Sequence, residues 1–374
     1  MNILIIPDKF KGSLTSAQVC DAIETGILKH FPTAEITKIP LADGGEGSLE
    51  VLEKTISFEK IHLEVKNPLF KTIPTYYGII DNTAYIEMAS ASGLQLLIKD
   101  ERNPMFTSSY GTGEMIADAI KRGATKIYLF VGGSATNDAG IGIASALGYQ
   151  FRDNRNNILK PIGESLIKIS SINFRNTNSF NNIEFNILTD VNNPLLGKEG
   201  AAFSFAEQKG ASKKEIAMLD TGLQNISKII IKTFGIDVSK IPGSGAAGGV
   251  GAGMVAFFNA NILSGIDSIM DLLNVNYHIQ QSDLVVTGEG LLDKLTLKGK
   301  LVKGVWNRCK KMNKPLGIIC GDIDLSEEEL KYFYSSQIKT IKVDGISKEG
   351  AIKNAYELVV HRAEELIREF INRS

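Results

Sequence analysis

The residues that could do chemistry in this 374-residue chain gather in glycine-rich loops. Val131-Gly132-Gly133-Ser134-Ala135-Thr136-Asn137-Asp138 joins an apolar run to the start of an amphipathic one. Free backbone N–H groups at a helix start, approached across small residues, make a cradle for phosphate. The same residues also read as a capped turn, because Thr136, Asn137 and Asp138 are good N-caps. Pro7-Asp8-Lys9-Phe10-Lys11-Gly12-Ser13 leaves the carboxyl end of the first apolar run, where α/β sheets place ligands. Lys9 and Lys11 can neutralise a phosphate or carboxylate there, or simply decorate an exposed turn. Residues 242–253 hold six glycines in twelve positions. Each costs a helix about 1 kcal/mol relative to alanine, which implies close backbone approach to a ligand or to a neighbouring helix. Gly243, Gly245 and Gly248 match GxGxxG, but the preceding FGIDVSKI is a poor strand, so the dinucleotide fingerprint lacks its context.

Four carboxylates follow apolar runs: Asp43 in DGGEG, Asp190 in TDVNNP, Glu289 in TGEG, and Asp293 just beyond it. Each alone is a turn former. Together with the loops above they match the inventory of phosphoryl transfer: backbone donors and cations for phosphates, carboxylates for Mg²⁺, and one carboxylate to take the acceptor hydroxyl's proton. There is no GxxxxGK[ST], so the chain is not a P-loop protein, and no GxSxG elbow or Cys/His pair to supply an acyl-transfer nucleophile.

The elements that must position these loops alternate. Asn2–Ile6 reads as a strand buried on both faces. Thr15 and Gln18 form a capping box for a helix with Val19, Ala22, Ile23, Gly26 and Ile27 on one face. A strand at 35–41 and a helix near 46–54 follow. Residues 58–66, 73–80 and 84–88 read as strands without intervening helices, a change of texture. Alternation returns with a helix at 112–122, a strand at 126–131, a helix at 138–147, a strand at 183–189 and helices at 212–234 and 244–258. The asparagine-rich stretch 152–182 reads as surface connection. Strands at 283–287, 316–320 and 338–343 alternate with helices at 299–312 and 326–334. A final helix carries Val359, Ala363, Leu366 and Phe370 on one face, with Glu364 and Arg368 as an i,i+4 pair on the other. The fold class is α/β: a Rossmann-like domain formed by both termini, 1–62 with 275–374, and a second α/β domain, 63–274, inserted into it.

Composition narrows the function. Lys plus Arg is 41 against 42 Asp plus Glu, which gives no support to nucleic-acid or membrane-surface binding. Three scattered cysteines point to a reduced, cytoplasmic setting, and four scattered histidines lack metal-ligand spacing. No stretch reaches the ~20 apolar residues of a membrane span.

The motifs taken together resemble the glycerate kinase family of the bacterial two-domain type, that of the glycerate 2-kinases. They are PDKFKGSLTS (7–16), PLADGGEGS (40–48), RNPMFTSSYGTGEMI (102–116), VGGSATNDAGIGIASALG (131–148), LTDVNNPLLG (188–197), QKGA (208–211), PGSGAAGGVGAG (242–253) and TGEGLLDKLTLKGK (287–300). Eight motifs in the family's order are specific, and they run from near the N-terminus to residue 300. Leu291 and Leu295 stand where the family has arginine and glutamine.

The resemblance implies ATP-dependent, Mg²⁺-assisted phosphorylation of D-glycerate, at the 2-hydroxyl rather than the 3-hydroxyl, in a cleft between two α/β domains. Asp190 is then expected to be the general base, and Lys9 a second catalytic residue that contacts phosphate. Gly132, Gly133, Ser134, Gly243, Ser244 and Gly245 are expected at the nucleotide phosphates. Asp43, Arg102, Ser108 and Asn192 are expected at the substrate, Arg102 on its carboxylate, and Glu289 and Asp293 at Mg²⁺. Two alternatives stay open: a kinase for another small hydroxy acid, and a non-catalytic sensor of glycerate or nucleotide. A nicotinamide oxidoreductase is a weaker third.

Overall fold

A computed structural model describes residues 1–41, 47–53, 55–174, 180–334, 336–342, 345 and 347–373. The expected substrate residue Asp43, with Gly44 to Glu46, lies outside the described residues. The chain forms two compact units, Met1–Asp43 with Ile266–Ser374, and Gly44–Gly265. The first crossing lies before the expected residue 62, because Glu59–Lys66 pairs antiparallel with Thr72–Ile80 and so belongs to the sheet of the inner unit.

The terminal unit is a five-stranded, wholly parallel sheet in the order Ser336–Thr340, Leu316–Ile323, Leu284–Leu292, Asn2–Ile5, Glu35–Lys38. From Asn2–Ile5 the chain adds one strand on one side, and all later strands add on the other. The direction of winding therefore reverses between Asn2–Ile5 and Leu284–Leu292. In open α/β sheets this switch point, at the strands' carboxyl ends, is where a crevice for ligands forms. Helix Ser16–His30 opens with the Thr15/Gln18 capping box and buries Val19, Ile23 and Ile27. It lies against Ala355–Arg373 so closely that a Cβ on Gly26 would come within 2.2 Å of the Val360 carbonyl oxygen.

The inner unit has a six-stranded sheet in the order Asn261–Leu263, Glu184–Leu188, Lys126–Phe130, Thr83–Glu87, Thr72–Ile80, Glu59–Lys66. The first four strands are parallel, and Thr72–Ile80 pairs antiparallel with both of its neighbours. The 152–182 stretch is more than surface connection: Gln150–Arg152 pairs with Ser171–Asn173, and Leu166 and Ile169 enter the core.

Two boundaries differ from the sequence expectation with clear causes. The helix expected at 138 begins at Ile141, because Ala139 (φ 53°) and Gly140 (φ 71°) are left-handed. The strand expected to end at Thr287 runs to Leu292, pairing Glu289 with Cys320. Glu289 is thus a strand residue, and its flanking glycines make room for other backbone: a Cβ on Gly288 would lie 2.0 Å from the Ile319 carbonyl oxygen, and one on Gly290 3.3 Å from the Lys11 amide nitrogen. Among the described residues no helix is long and apolar enough to cross a membrane.

Candidate active site

In the terminal unit the switch point collects carboxylates. The first strand continues into Pro7–Ser13, tied across the switch by the Asp8 amide, which donates to the Gly288 carbonyl at 2.8 Å. Lys9 is exposed on this loop, its amide donating to Asp8 Oδ1 at 2.7 Å. Glu289 is 5% exposed and accepts the Thr296 hydroxyl at 2.6 Å on Oε1. Burial pushes its carboxyl up to about 7, with the Thr296 bond and the Lys300 charge opposing and the negative charges of Asp8 and Asp293 adding to the rise. Asp293 Oδ1 accepts the amides of Leu295 at 2.8 Å and Thr296 at 2.9 Å, with Lys300 Nζ 3.4 Å away. Against the upward push of burial, these amides and Lys300 hold Asp293 below its ordinary value.

Crowded carboxylates of this kind fit a cation, which would relieve their mutual repulsion. Among the described residues, no three His, Cys, Asp or Glu side chains are grouped to hold a metal unaided. Mg²⁺ is commonly held by one or two carboxylates plus phosphate oxygens of the substrate.

In the inner unit the candidates sit at the carboxyl ends of neighbouring parallel strands. Lys126–Phe130 leads into the Val131–Asp138 loop and Glu184–Leu188 into Thr189–Pro194, joined where the Val131 amide donates to Leu188 O at 3.4 Å. Gly132 and Gly133 reach the surface, whereas Ser134 to Asp138 are buried. Asp138 is wholly buried and accepts the Ser109 amide and hydroxyl, both at 2.8 Å, and the Gly140 amide at 3.1 Å. Desolvation raises its pKa, opposed by these bonds. Lys209 Nζ donates to Ser134 Oγ at 3.0 Å and to Thr136 O at 2.7 Å. Thr136 Oγ1, both ends of the Asn137 amide, and Ser244 Oγ are buried without a hydrogen-bond partner. Each such group costs about 1–3 kcal/mol, so their concentration on one loop and its neighbour is a departure from ordinary core building.

Asp190 is half-buried and accepts the Ser264 hydroxyl at 3.1 Å, while Asn192 beside it is exposed. Arg102 is half-buried, with Nε donating to Leu97 O at 3.2 Å, and its carbonyl packs on Gly210, next to Lys209. Ser108 is fully buried and accepts the Tyr110 amide at 3.2 Å, so it shapes the start of helix Tyr110–Lys121. The glycine-rich segment packs backbone on backbone. The Ser244 amide donates to Ile241 O and the Gly245 amide to Asn193 O, both at 3.0 Å. A Cβ on Gly248 would stand 2.1 Å from Thr136 O. Gly243 and Gly245 therefore brace the Asp190 loop, Ser244 closes the turn from Ile241, and Gly248 braces the Thr136 loop.

The sequence model of the glycerate kinase family matches residues 3–371. The chain belongs to the glycerate kinase family. It is 42% identical over 326 residues to a glycerate kinase of Bacillus cereus, covering 86% of each chain. It is 40% identical over 326 residues to the glycerate 2-kinase of Escherichia coli K12, again covering 86% of each. Among solved structures, a glycerate kinase 2 candidate from Salmonella typhimurium LT2 superposes with a TM-score of 0.82 at 37% identity, covering 100% of this chain and 99% of that one.

For this glycerate kinase family chain, sequence reasoning singles out Lys9, Glu289 and Asp293, which the fold gathers at one switch point, and Gly132–Ser134 and Asp190, which it sets on adjacent strand ends. It gives no role to Lys209 or Thr296, and reads Asn137 and Asp138 both as part of a phosphate cradle and as caps. The QKGA motif was the available trace of Lys209, but a lysine's burial is invisible until its neighbours are placed.

Proposed function

We propose that this chain transfers the γ-phosphoryl group of ATP to the 2-hydroxyl of D-glycerate. The oxygen–phosphorus bond to ADP breaks, the bond to the glycerate oxygen forms, and the hydroxyl proton leaves to a base, giving 2-phosphoglycerate and ADP. The observation that carries this reading is the pair of carboxylates Glu289 and Asp293, both bonded by Thr296 at the switch point, in a chain whose relatives are named glycerate kinases. The 2-position is supported by the name of the Escherichia coli relative.

Glu289 and Asp293 would hold Mg²⁺, which when bound offsets charge on the phosphates. Asp190, at a strand end, takes the acceptor hydroxyl's proton. The surface-reaching Gly132 and Gly133 of the inner unit receive phosphate oxygens, and exposed Lys9 is a phosphate contact of the terminal unit. Arg102 faces the substrate carboxylate, with Asn192 and Asp43 at its hydroxyls, and Ser108 acts through the helix start it shapes. Gly243 to Gly245 act on nucleotide through the loop they brace and the turn they close.

A phosphorus NMR spectrum of the product formed from D-glycerate and Mg·ATP tests reaction and regiochemistry together. A 2-phosphate resonance with stoichiometric ADP is expected; no phosphoglycerate would end the reading.

A second reading is a kinase for another small hydroxy acid. It is favoured by the apolar side chains of Leu291 and Leu295, 41% and 53% exposed, on either side of Asp293. A panel of hydroxy acids, ranked by kcat/KM with ATP, separates the two.

A further inference from the structure

A buried lysine is expensive to desolvate, and a methionine or leucine would fill the same space at lower cost. Lys209, 4% exposed at the end of the Glu207–Lys209 turn, is therefore explained by what its protons hold. It spans from that turn to the buried half of the Val131–Asp138 loop, donating to Ser134 Oγ and Thr136 O. The half of the loop that reaches the surface, Gly132 and Gly133, lies immediately before these contacts.

We propose that Lys209 is a positioning residue for the phosphoryl donor: by clamping Ser134 and Thr136 from beneath, it fixes the backbone of Gly132 and Gly133 in the orientation that receives phosphate oxygens. This rests on the reading of Gly132–Ser134 as the phosphate contact. Lys209 touches neither substrate directly; it acts through the loop. The loop's other hydrogen bonds fall on different atoms, and Gly248 packs against Thr136 O without bonding it. Thr107 donates to Ala135 O at 2.8 Å, the Ala135 amide to Ser92 O at 2.9 Å, and Leu94 N to Gly133 O at 2.9 Å. Ser134 Oγ is held by the lysine, and the Thr136 hydroxyl has no partner with which to take over.

The clamp is also poised to titrate. Burial lowers the ammonium to about 7, and Asp138 on the loop opposes the fall. Of the neighbouring charged residues, Arg102 sets its carbonyl against Gly210, and exposed Glu207 stands on the lysine's own turn. Charge-assisted hydrogen bonds weaken when the donor loses its charge, so donor binding should fall as pH rises through neutrality.

The test compares Lys209→Met and Ser134→Ala with wild type. In Lys209→Met the KM for ATP is expected to rise at least tenfold with the KM for glycerate within twofold, and the alkaline limb of kcat/KM for ATP near pH 7 to disappear. Ser134→Ala, which keeps the lysine, is expected to show a smaller rise in the same KM, and it carries the test if Lys209→Met does not fold. Hydrogen exchange of peptides covering 131–139 is read on the same samples, and should quicken at least tenfold in folded Lys209→Met while the rest of the inner unit keeps its protection. Wild-type KM for ATP in both variants, or a fall in kcat with KM unchanged, overturns the proposal and leaves the kinase reading intact. If wild type phosphorylates no hydroxy acid, the kinase reading fails on its own. Exchange then decides whether Lys209 clamps the loop, and unchanged exchange in Lys209→Met, or in Ser134→Ala should the first not fold, overturns it.

Discussion

The Thr296 hydroxyl donates to Glu289 Oε1 at 2.6 Å while the Thr296 amide donates to Asp293 Oδ1 at 2.9 Å. One residue thereby fixes both carboxylates of the switch point, although one lies within a strand and the other just past its end. Thr296 is itself fully buried, so this spacing is set by packing rather than by solvent. The two carboxyls nevertheless titrate in opposite directions, Glu289 upward through burial and Asp293 downward through its amide donors and Lys300 against the pull of burial.

Glu289 makes stability depend on pH. Its folded-state pKa rises from 4.5 to about 7, so between those values the folded protein keeps a proton that the unfolded chain has released. Stability therefore falls as pH rises across that window, and the penalty is fully present above it. Glu289→Gln keeps an acceptor for Thr296 and removes the charge. Metal-free melts at pH 8 should show the variant more stable by roughly 1–3 kcal/mol, shrinking toward zero at pH 4. The same offset at both pH values would contradict this.

The same substitution should also alter metal dependence. If Glu289 and Asp293 hold Mg²⁺, Glu289→Gln and Asp293→Asn each raise the Mg²⁺ concentration for half-maximal turnover by ~10-fold or more, by analogy with the loss on disturbing metal-site partners. Titration of turnover with Mg²⁺ at saturating ATP checks it, and a curve that coincides with wild type removes that residue from the metal site.

Asp190→Asn keeps an acceptor for the Ser264 hydroxyl but cannot take a proton. Loss of a general base usually costs about 100-fold or more, so kcat should fall at least that far with the fold intact by circular dichroism. Turnover within about threefold of wild type would assign the base elsewhere.

Gly248→Ala should disrupt the packing of two loops. Its φ is +70°, and an added Cβ would meet the Thr136 carbonyl oxygen at 2.1 Å. Strain and overpacking together predict a loss of roughly 2–5 kcal/mol in urea unfolding. Gly235→Ala is the control, with a similar φ of +74° but nothing within 4 Å of the added atom, and should lose only about 1 kcal/mol. Equal losses would mean that backbone strain, not the contact with Thr136, decides.

Much of the architecture was legible because local chemistry and tertiary structure agree. The Thr15/Gln18 capping box, the Glu364–Arg368 pair and the helix Lys213–Phe234 stand as their spacing predicts. Glycine was the residue type most easily misread. Gly288 and Gly290 look like turn formers, yet they lie within a strand and make room for Ile319 O and the backbone of Phe10 and Lys11. Gly245, expected at the nucleotide phosphates, donates its amide to Asn193 O. A glycine that admits a ligand and one that admits another backbone have the same neighbours in sequence.

The order of residues alone determined that the chain is α/β, that its termini share one sheet, and that carboxylates and glycine loops follow its strands, because these properties depend on periodicity and on turn chemistry within a few residues. Only the tertiary structure decided which strands flank the switch point, that Glu289 is buried and Asp293 less so, and that Lys209 reaches Ser134 across 75 positions of sequence. Desolvation and long-range hydrogen bonds depend on distances through space, and those exist only once the chain has folded.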